Sequence, residues 1–197
     1  MDELQNEKKK LRRDILKIRR SLTYDRVEIE SNAIISHLKC SELFENSRSI
    51  MCYLAMKDEV QTYEIVDYAL RQGKSVCVPY IRDRVGIMDA VIIHDLNELV
   101  RGDLDILTVS KLNVNVVNIK EIDLIIMPGV AFDRYGHRLG MGAGFYDRFL
   151  EKADYAKLVG LAFSCQVLED VPSMPHDYLV HYIVTKDGII NCKTGKM

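Results

Sequence analysis

Gly140, Gly142 and Gly144 alternate along the chain, with Arg138 just before them and Asp147 and Arg148 just after. Glycine at alternate positions strips β-carbons from a short stretch, so several backbone N–H groups can converge on one anion. A guanidinium on either side suits the same anion, because it can meet two phosphate oxygens at once. Asp147 adds a carboxylate of the kind that, together with phosphate oxygens, holds Mg²⁺. The implied chemistry is phosphate handling. Phosphoryl transfer needs positioning and charge neutralisation more than a covalent nucleophile. The spacing fits neither common phosphate loop. A Walker loop ends in Gly-Lys-Ser/Thr, and the dinucleotide fingerprint places its glycines directly after a strand with one and then two spacers. The bland alternative is a turn that only lets backbone pass close to backbone; it leaves the flanking arginines unexplained.

The elements around this stretch must present it. Leu124-Ile125-Ile126 is a short apolar run and reads as a buried strand within 123–127. A helix is expected over 146–152, with Phe145 and Phe149 on one face and its positive end aimed at the glycines. Upstream, Leu4, Leu11, Ile15, Ile18 and Leu22 recur at helical spacing. Lys8, Lys9, Lys10, Arg12, Arg13, Lys17, Arg19 and Arg20 surround that stripe, and most of them read as a solvated basic face. A second helix over 24–38 has Thr23 as its cap, and a third over 63–72 has Thr62 before it and Gly73 after it. Strands are expected over 49–55, 75–79, 158–163 and 179–185, with a further apolar run over 86–94 and one helical turn over 95–100. Lys186-Asp187-Gly188 reads as a hairpin turn into 189–191, after which the chain is expected to fray. Strands alternating with helices give an α/β fold whose sheet is mostly parallel, with helices on both faces.

Pro128-Gly129-Val130-Ala131-Phe132-Asp133, followed by Arg138-Leu139-Gly140-x-Gly142-x-Gly144-Phe145-Tyr146-Asp147-Arg148, resembles the signature of 5-formyltetrahydrofolate cyclo-ligases, also called methenyltetrahydrofolate synthetases. Length and motif order match that family over nearly the whole chain. The resemblance implies ATP-dependent closure of 5-formyltetrahydrofolate to 5,10-methenyltetrahydrofolate, with Mg²⁺ and release of ADP and phosphate. It implies a three-layer α/β/α sandwich, similar to the ribose-phosphate isomerase and CoA transferase-like fold. It also implies roles for named residues. Lys8 and Arg12 match a Lys-x-x-x-Arg that contacts ATP phosphates, and a spacing of four puts both on one helix face. Arg138, Leu139, Gly140, Met141, Gly142, Ala143, Gly144, Phe145 and Tyr146 match the nucleotide segment, with Arg138 and Arg148 as its catalytic cations. Leu54, Glu59, Phe145 and Tyr146 match the folate side, where a carboxylate can accept paired N–H donors from a pterin and an aromatic ring can stack on it. Asp147 and Asp177 match metal-binding aspartates. The chain departs from the family over 102–107, where a second glycine, a glutamate and a proline are missing.

With 197 residues, one domain over 1–197 is expected, large enough to bury a core. A net charge of −2 gives no global pull towards nucleic acid or an anionic membrane, and neither is expected as a partner. No apolar run approaches the roughly 18 residues of a membrane span. The five cysteines are odd in number and far apart, with no CxxC, and Cys52 and Cys77 read as small core residues. A cytoplasmic monomer acting on a reduced folate is the expectation. Three alternatives use the same features: a phosphosugar isomerase or CoA transferase-like enzyme, a family relative without folate activity, and an RNA- or nucleotide-binding module built on the basic first helix.

Overall fold

The computed structural model describes residues 2–82, 86–102, 107–151, 153, 155–175 and 177–192. Helices α1 (Asp2–Arg20), α2 (Tyr24–Lys39) and the short α3 (Glu42–Glu45) lead into strand β1 (Ser49–Cys52). Helix α4 (Tyr63–Arg71), β2 (Ser75–Ile81) and β3 (Met88–Ile93) follow, and then short strands β4 (Leu99–Arg101), β5 (Leu107–Val109) and β6 (Val116–Val117). Strand β7 (Leu124–Met127) is followed by β8 (Ala131–Asp133), β9 (Arg138–Leu139) and helix α5 (Phe145–Leu150). The chain closes with β10 (Lys157–Leu161), β11 (Val167–Leu168), β12 (Tyr182–Thr185) and β13 (Gly188–Asn191).

The main sheet has the order β13-β12-β10-β7-β1-β2-β3-β6. Its five inner strands, from β12 to β2, run parallel. Its outer pairs are antiparallel. The inner strands read as continuous apolar runs because both faces are covered. Ile50, Cys52, Leu124 and Ile126 point into one core with α2 and α4, while Met51, Ile125 and Met127 point into the other with α5. This is the expected α/β architecture with helices on both faces.

Several local expectations change. Only six residues separate β2 from β3, too few for a crossover, so the two pair antiparallel. Strand β1 stops at Cys52 rather than residue 55. The Thr62 hydroxyl donates to the Tyr53 carbonyl at 2.7 Å and accepts the Ala55 N–H at 3.2 Å, so a side chain takes over where the ladder ends. For the same reason Thr62 does not cap α4 through its side chain. Thr23 does cap α2, accepting the Arg26 N–H at 3.3 Å. Strand β12 begins at Tyr182 rather than 179, because the Val180 N–H goes instead to the Gly136 carbonyl at 2.8 Å. The turn expected over 95–100 becomes a 3-10 turn at Leu96–Glu98 followed by β4, which pairs with β5. Residues 103–106 of the atypical 102–107 segment, Lys152 of the expected last helix, His176 and residues 193–197, where fraying is expected, lie outside the described residues.

Candidate active site

The residues between β7 and the glycines are not loose. They form the β8–β9 hairpin, which joins β11 in a small three-stranded sheet. Asp133 knots it together. Its wholly buried carboxylate accepts the N–H groups of Tyr135 (2.9 Å), His137 (3.1 Å) and Val171 (3.0 Å) and pairs with the His137 ring at 2.8 Å. Asp133, His137 and Asp170 bring ligand atoms close together, but a carboxylate so fully engaged has little left to offer a cation. The hairpin instead delivers residues 140–144 to one rim of the parallel strands.

Gly142 and Gly144 have φ of +99° and +68°, which L side chains rarely adopt; Gly140 does not. A β-carbon at Gly142 would lie 3.3 Å from the Arg12 Cζ. Arg12 Nε donates to the Gly140 carbonyl at 2.8 Å, so the loop and the first helix share one guanidinium. Burial lowers the pKa of Arg12. Among the described residues, the amides of Met141, Gly142, Ala143 and Gly144 meet no protein acceptor. Helix α5 begins at Phe145 and has only six residues. Its dipole therefore adds less to this rim than the sequence promised, and the loop amides carry the anion-binding character.

Behind the loop, Arg138 Nη2 donates to Asp147 Oδ1 at 3.0 Å, and its guanidinium lies 5.5 Å from the centre of the Tyr146 ring. Among the described residues, two polar atoms here are buried without a partner, Arg138 Nε and the Tyr146 hydroxyl. Burial, and then the nearby Cys52, raises the Tyr146 pKa, so the hydroxyl keeps its proton. Phe145 packs partly against the same core as Tyr146. Arg148 is exposed; it donates to the carbonyls of Gly86 (3.1 Å) and Ala143 and braces the loop.

Helix α1 brings three of its cations to this rim, while Lys9, Lys10, Arg13, Lys17 and Arg20 are exposed, as expected of a basic face. Lys8 and Arg19 are buried, and with Arg12 and Ile15 they follow the i, i+4, i+7, i+11 spacing of one helix face. Lys8 pairs with Asp177, whose Oδ2 also accepts the Met174 N–H at 2.7 Å. Arg19 pairs with Asp58 at 3.0 Å and faces Glu59 at 3.6 Å. Sequence reasoning missed Arg19, although the Lys8–Arg12–Ile15 spacing points straight to it.

At the other end of the site, Leu54 and Glu59 are both buried just past the end of β1. Glu59 Oε2 accepts the Met56 N–H at 3.0 Å. Burial raises the Glu59 pKa; the Met56 amide and Arg19 offset only part of that rise. A narrow crevice runs along Arg19, Tyr53, Glu59, Pro128, Gly129 and Gln166. It opens beyond the carboxyl ends of β1, β7 and β10, where open parallel sheets bind ligands. Gln166 fixes its floor, donating to the Gly129 carbonyl at 2.7 Å and accepting the Phe163 N–H at 3.0 Å. A roomier hollow lined by Arg134, Thr185 and Ile190 contains none of the expected residues.

A model of the 5-formyltetrahydrofolate cyclo-ligase family matches residues 4–186. The mitochondrial 5-formyltetrahydrofolate cyclo-ligase of Arabidopsis thaliana is 32% identical over 172 residues, covering 75% of this chain and 62% of that one. The 5-formyltetrahydrofolate cyclo-ligase of Saccharomyces cerevisiae is 34% identical over 205 residues, covering 93% of this chain and 97% of its own. The NMR structure of Aquifex aeolicus 5,10-methenyltetrahydrofolate synthetase matches with a TM-score of 0.83 at 30% identity, over 96% of this chain and 95% of that one.

Proposed function

Since the chain belongs to the 5-formyltetrahydrofolate cyclo-ligase family, we propose that it closes 5-formyltetrahydrofolate to 5,10-methenyltetrahydrofolate at the expense of ATP, with Mg²⁺. The observation that carries this reading is the shared rim: Arg12 of α1 bonds to the glycine loop, and Arg19 of the same helix faces Glu59. A polyphosphate site and a carboxylate for a heterocycle thus lie along one helix.

The N5-formyl oxygen is a poor leaving group. It takes the γ-phosphoryl group of ATP; the new O–P bond forms as the bond to ADP breaks. N10 then attacks the formyl carbon, loses its proton, and the C–O bond breaks to release phosphate. Arg12, Lys8, Arg138, Leu139 and the backbone of Gly140, Met141, Gly142, Ala143, Gly144, Phe145 and Tyr146 hold the nucleotide. Arg138 and Arg148 are the cations assigned to catalysis, Arg138 directly and Arg148 through the loop it braces. Leu54, Glu59, Phe145 and Tyr146 hold the folate, with Glu59 accepting from the pterin and Tyr146 offering its unpartnered O–H.

Asp147 fits a magnesium ligand. One of its oxygens bonds Arg138, and the side chain is about a third exposed. Asp177 fits if Lys8 lets go of it, and we propose such an exchange: Lys8 turns to a phosphate while Asp177 turns to the metal. When bound, Mg²⁺ neutralises charge on the phosphates and orients them. Among the described residues no helix is long and apolar enough to cross a membrane. A cytoplasmic monomer, with no nucleic-acid partner, completes the proposal.

The test is direct. Protein, ATP, Mg²⁺ and 5-formyltetrahydrofolate together should raise the methenyl absorbance, and EDTA should abolish the rise. A protein that gives no ATP-dependent rise is not this enzyme. Asp147→Asn should raise the Mg²⁺ concentration needed for half-maximal rate by about tenfold.

A further inference from the structure

Arg19 is the most enclosed cation among the described residues, at 2% exposed. Burying a guanidinium is expensive unless its donors are used and its charge is matched. Its Nε and Nη2 both donate to Asp58 Oδ2, at 3.2 and 3.0 Å. Its Nη1 faces Glu59 Oε1 at 3.6 Å, within ion-pair range but too far for a hydrogen bond.

The Glu59 carboxylate is therefore used unequally. Oε2 accepts the Met56 N–H, whereas Oε1 has no hydrogen bond among the described residues. Yet Glu59 is only 7% exposed. Oε1 is not one of the enclosed polar atoms left without a partner among the described residues, so it keeps an opening through which a donor can reach it. Both residues line the crevice beyond the strand ends, which is too tight for a water molecule, so a ligand's donor reaches Oε1 only at its open side.

If Arg19 served only to tie α1 to the 56–62 loop, Asp58 alone would suffice. The additional placement of Nη1 against Glu59 has a consequence for charge. The titratable groups around Glu59 are Arg19 from α1, Asp58 from its own loop, Tyr53 from the end of β1 and Tyr146 from α5. Arg19 is the one cation among them.

We propose that Arg19 is a positioning residue for folate recognition: Asp58 anchors its guanidinium, which keeps Glu59 ionised and leaves Oε1 facing the N–H donors of the pterin. This rests on the cyclo-ligase reading and assigns a further residue to its folate side.

The experiment uses the full chain, with Arg19→Gln, Arg19→Lys and Asp58→Asn beside the wild type. Thermal unfolding establishes which variants fold. KM is measured separately for 5-formyltetrahydrofolate and for ATP, folate binding is measured by calorimetry, and kcat/KM for the folate is followed from acid to neutral pH. Arg19→Gln should raise the folate KM and Kd by about tenfold or more, leaving the ATP KM within about twofold. Without the cation Glu59 protonates more readily, so the acid limb of kcat/KM should move to higher pH. Arg19→Lys restores the charge without the fork. It should return the acid limb towards the wild-type position while the folate KM stays raised severalfold. Asp58→Asn, which loosens the anchor, should also raise the folate KM.

If Arg19→Gln raises both KM values together, or leaves the acid limb in place, the proposal is wrong. Should Arg19→Gln fail to fold, an Arg19→Lys enzyme with a wild-type folate KM overturns it equally. A wild-type protein with no cyclo-ligase activity sinks the underlying reading, an outcome seen before any variant is made.

Discussion

Lys8 and Asp177 form a nearly enclosed ion pair across 169 residues of sequence. The pair fastens α1 to the segment before β12 and neutralises two groups that the proposed site needs for phosphate and metal. Lys8→Met removes one partner of this ion pair, whose side chains are at most 14% exposed. The expected loss is about 1–3 kcal/mol of stability, read from urea unfolding. The wild type should also gain thermal stability with Mg-ATP, and Lys8→Met should lose most of that gain.

Gly142 combines a left-handed φ with a guanidinium packed against it. Gly142→Ala must strain the backbone by about 1–3 kcal/mol or push Arg12 aside. Steady-state kinetics should show the ATP KM raised by about tenfold. The folate KM should change little, because Leu54 and Glu59 stand on another loop. An unchanged ATP KM would show that the amides of this loop do not hold the phosphates.

The Tyr146 hydroxyl is buried without a partner among the described residues. Tyr146→Phe should therefore cost no stability and could add up to about 1 kcal/mol, since an unsatisfied group is removed. Turnover should nevertheless fall by about tenfold, with the ring still present to stack. A variant as active as the wild type would remove the hydroxyl from the folate site.

His181 is a pH-dependent fastening between β10 and the approach to β12. Its Nδ1 accepts the Leu158 N–H at 2.9 Å, which only a neutral imidazole nitrogen can do. Burial, and then the nearby Lys157, lower its pKa from the ordinary value of 6.5. The folded state thus binds this proton less readily than the unfolded state. The stabilisation is present above pH 6.5 and drains away as the pH falls below it. Urea midpoints between pH 7.5 and 5.5 should decline, and His181→Gln should flatten that decline.

Some of this architecture could be read from residue types alone. The glycine loop, Arg12, Glu59 and the parallel strands rest on spacing and on uninterrupted apolar runs, which local chemistry dictates. Arg19 escaped because a cation amid seven other cations looks solvated; only the tertiary fold shows which of them turn inward. The β8–β9 hairpin escaped because its strands have three and two residues, too few to display a period. Its coherence comes from Asp133, a residue that sequence marks only as part of a motif. Thr62 was placed correctly at the start of α4, but its hydroxyl had a better offer from the open end of β1. Competition of that kind between two local partners is decided by packing.

Lys8, Arg12 and Arg19 of α1 meet partners that lie 39 to 169 positions downstream. As the chain leaves the ribosome, that helix waits with its charged side in water while almost all of its counterparts are still unmade. Contacts of such range close slowly, so its docking is expected late in assembly. The pocket would then come into being as a single late event, already equipped at both ends.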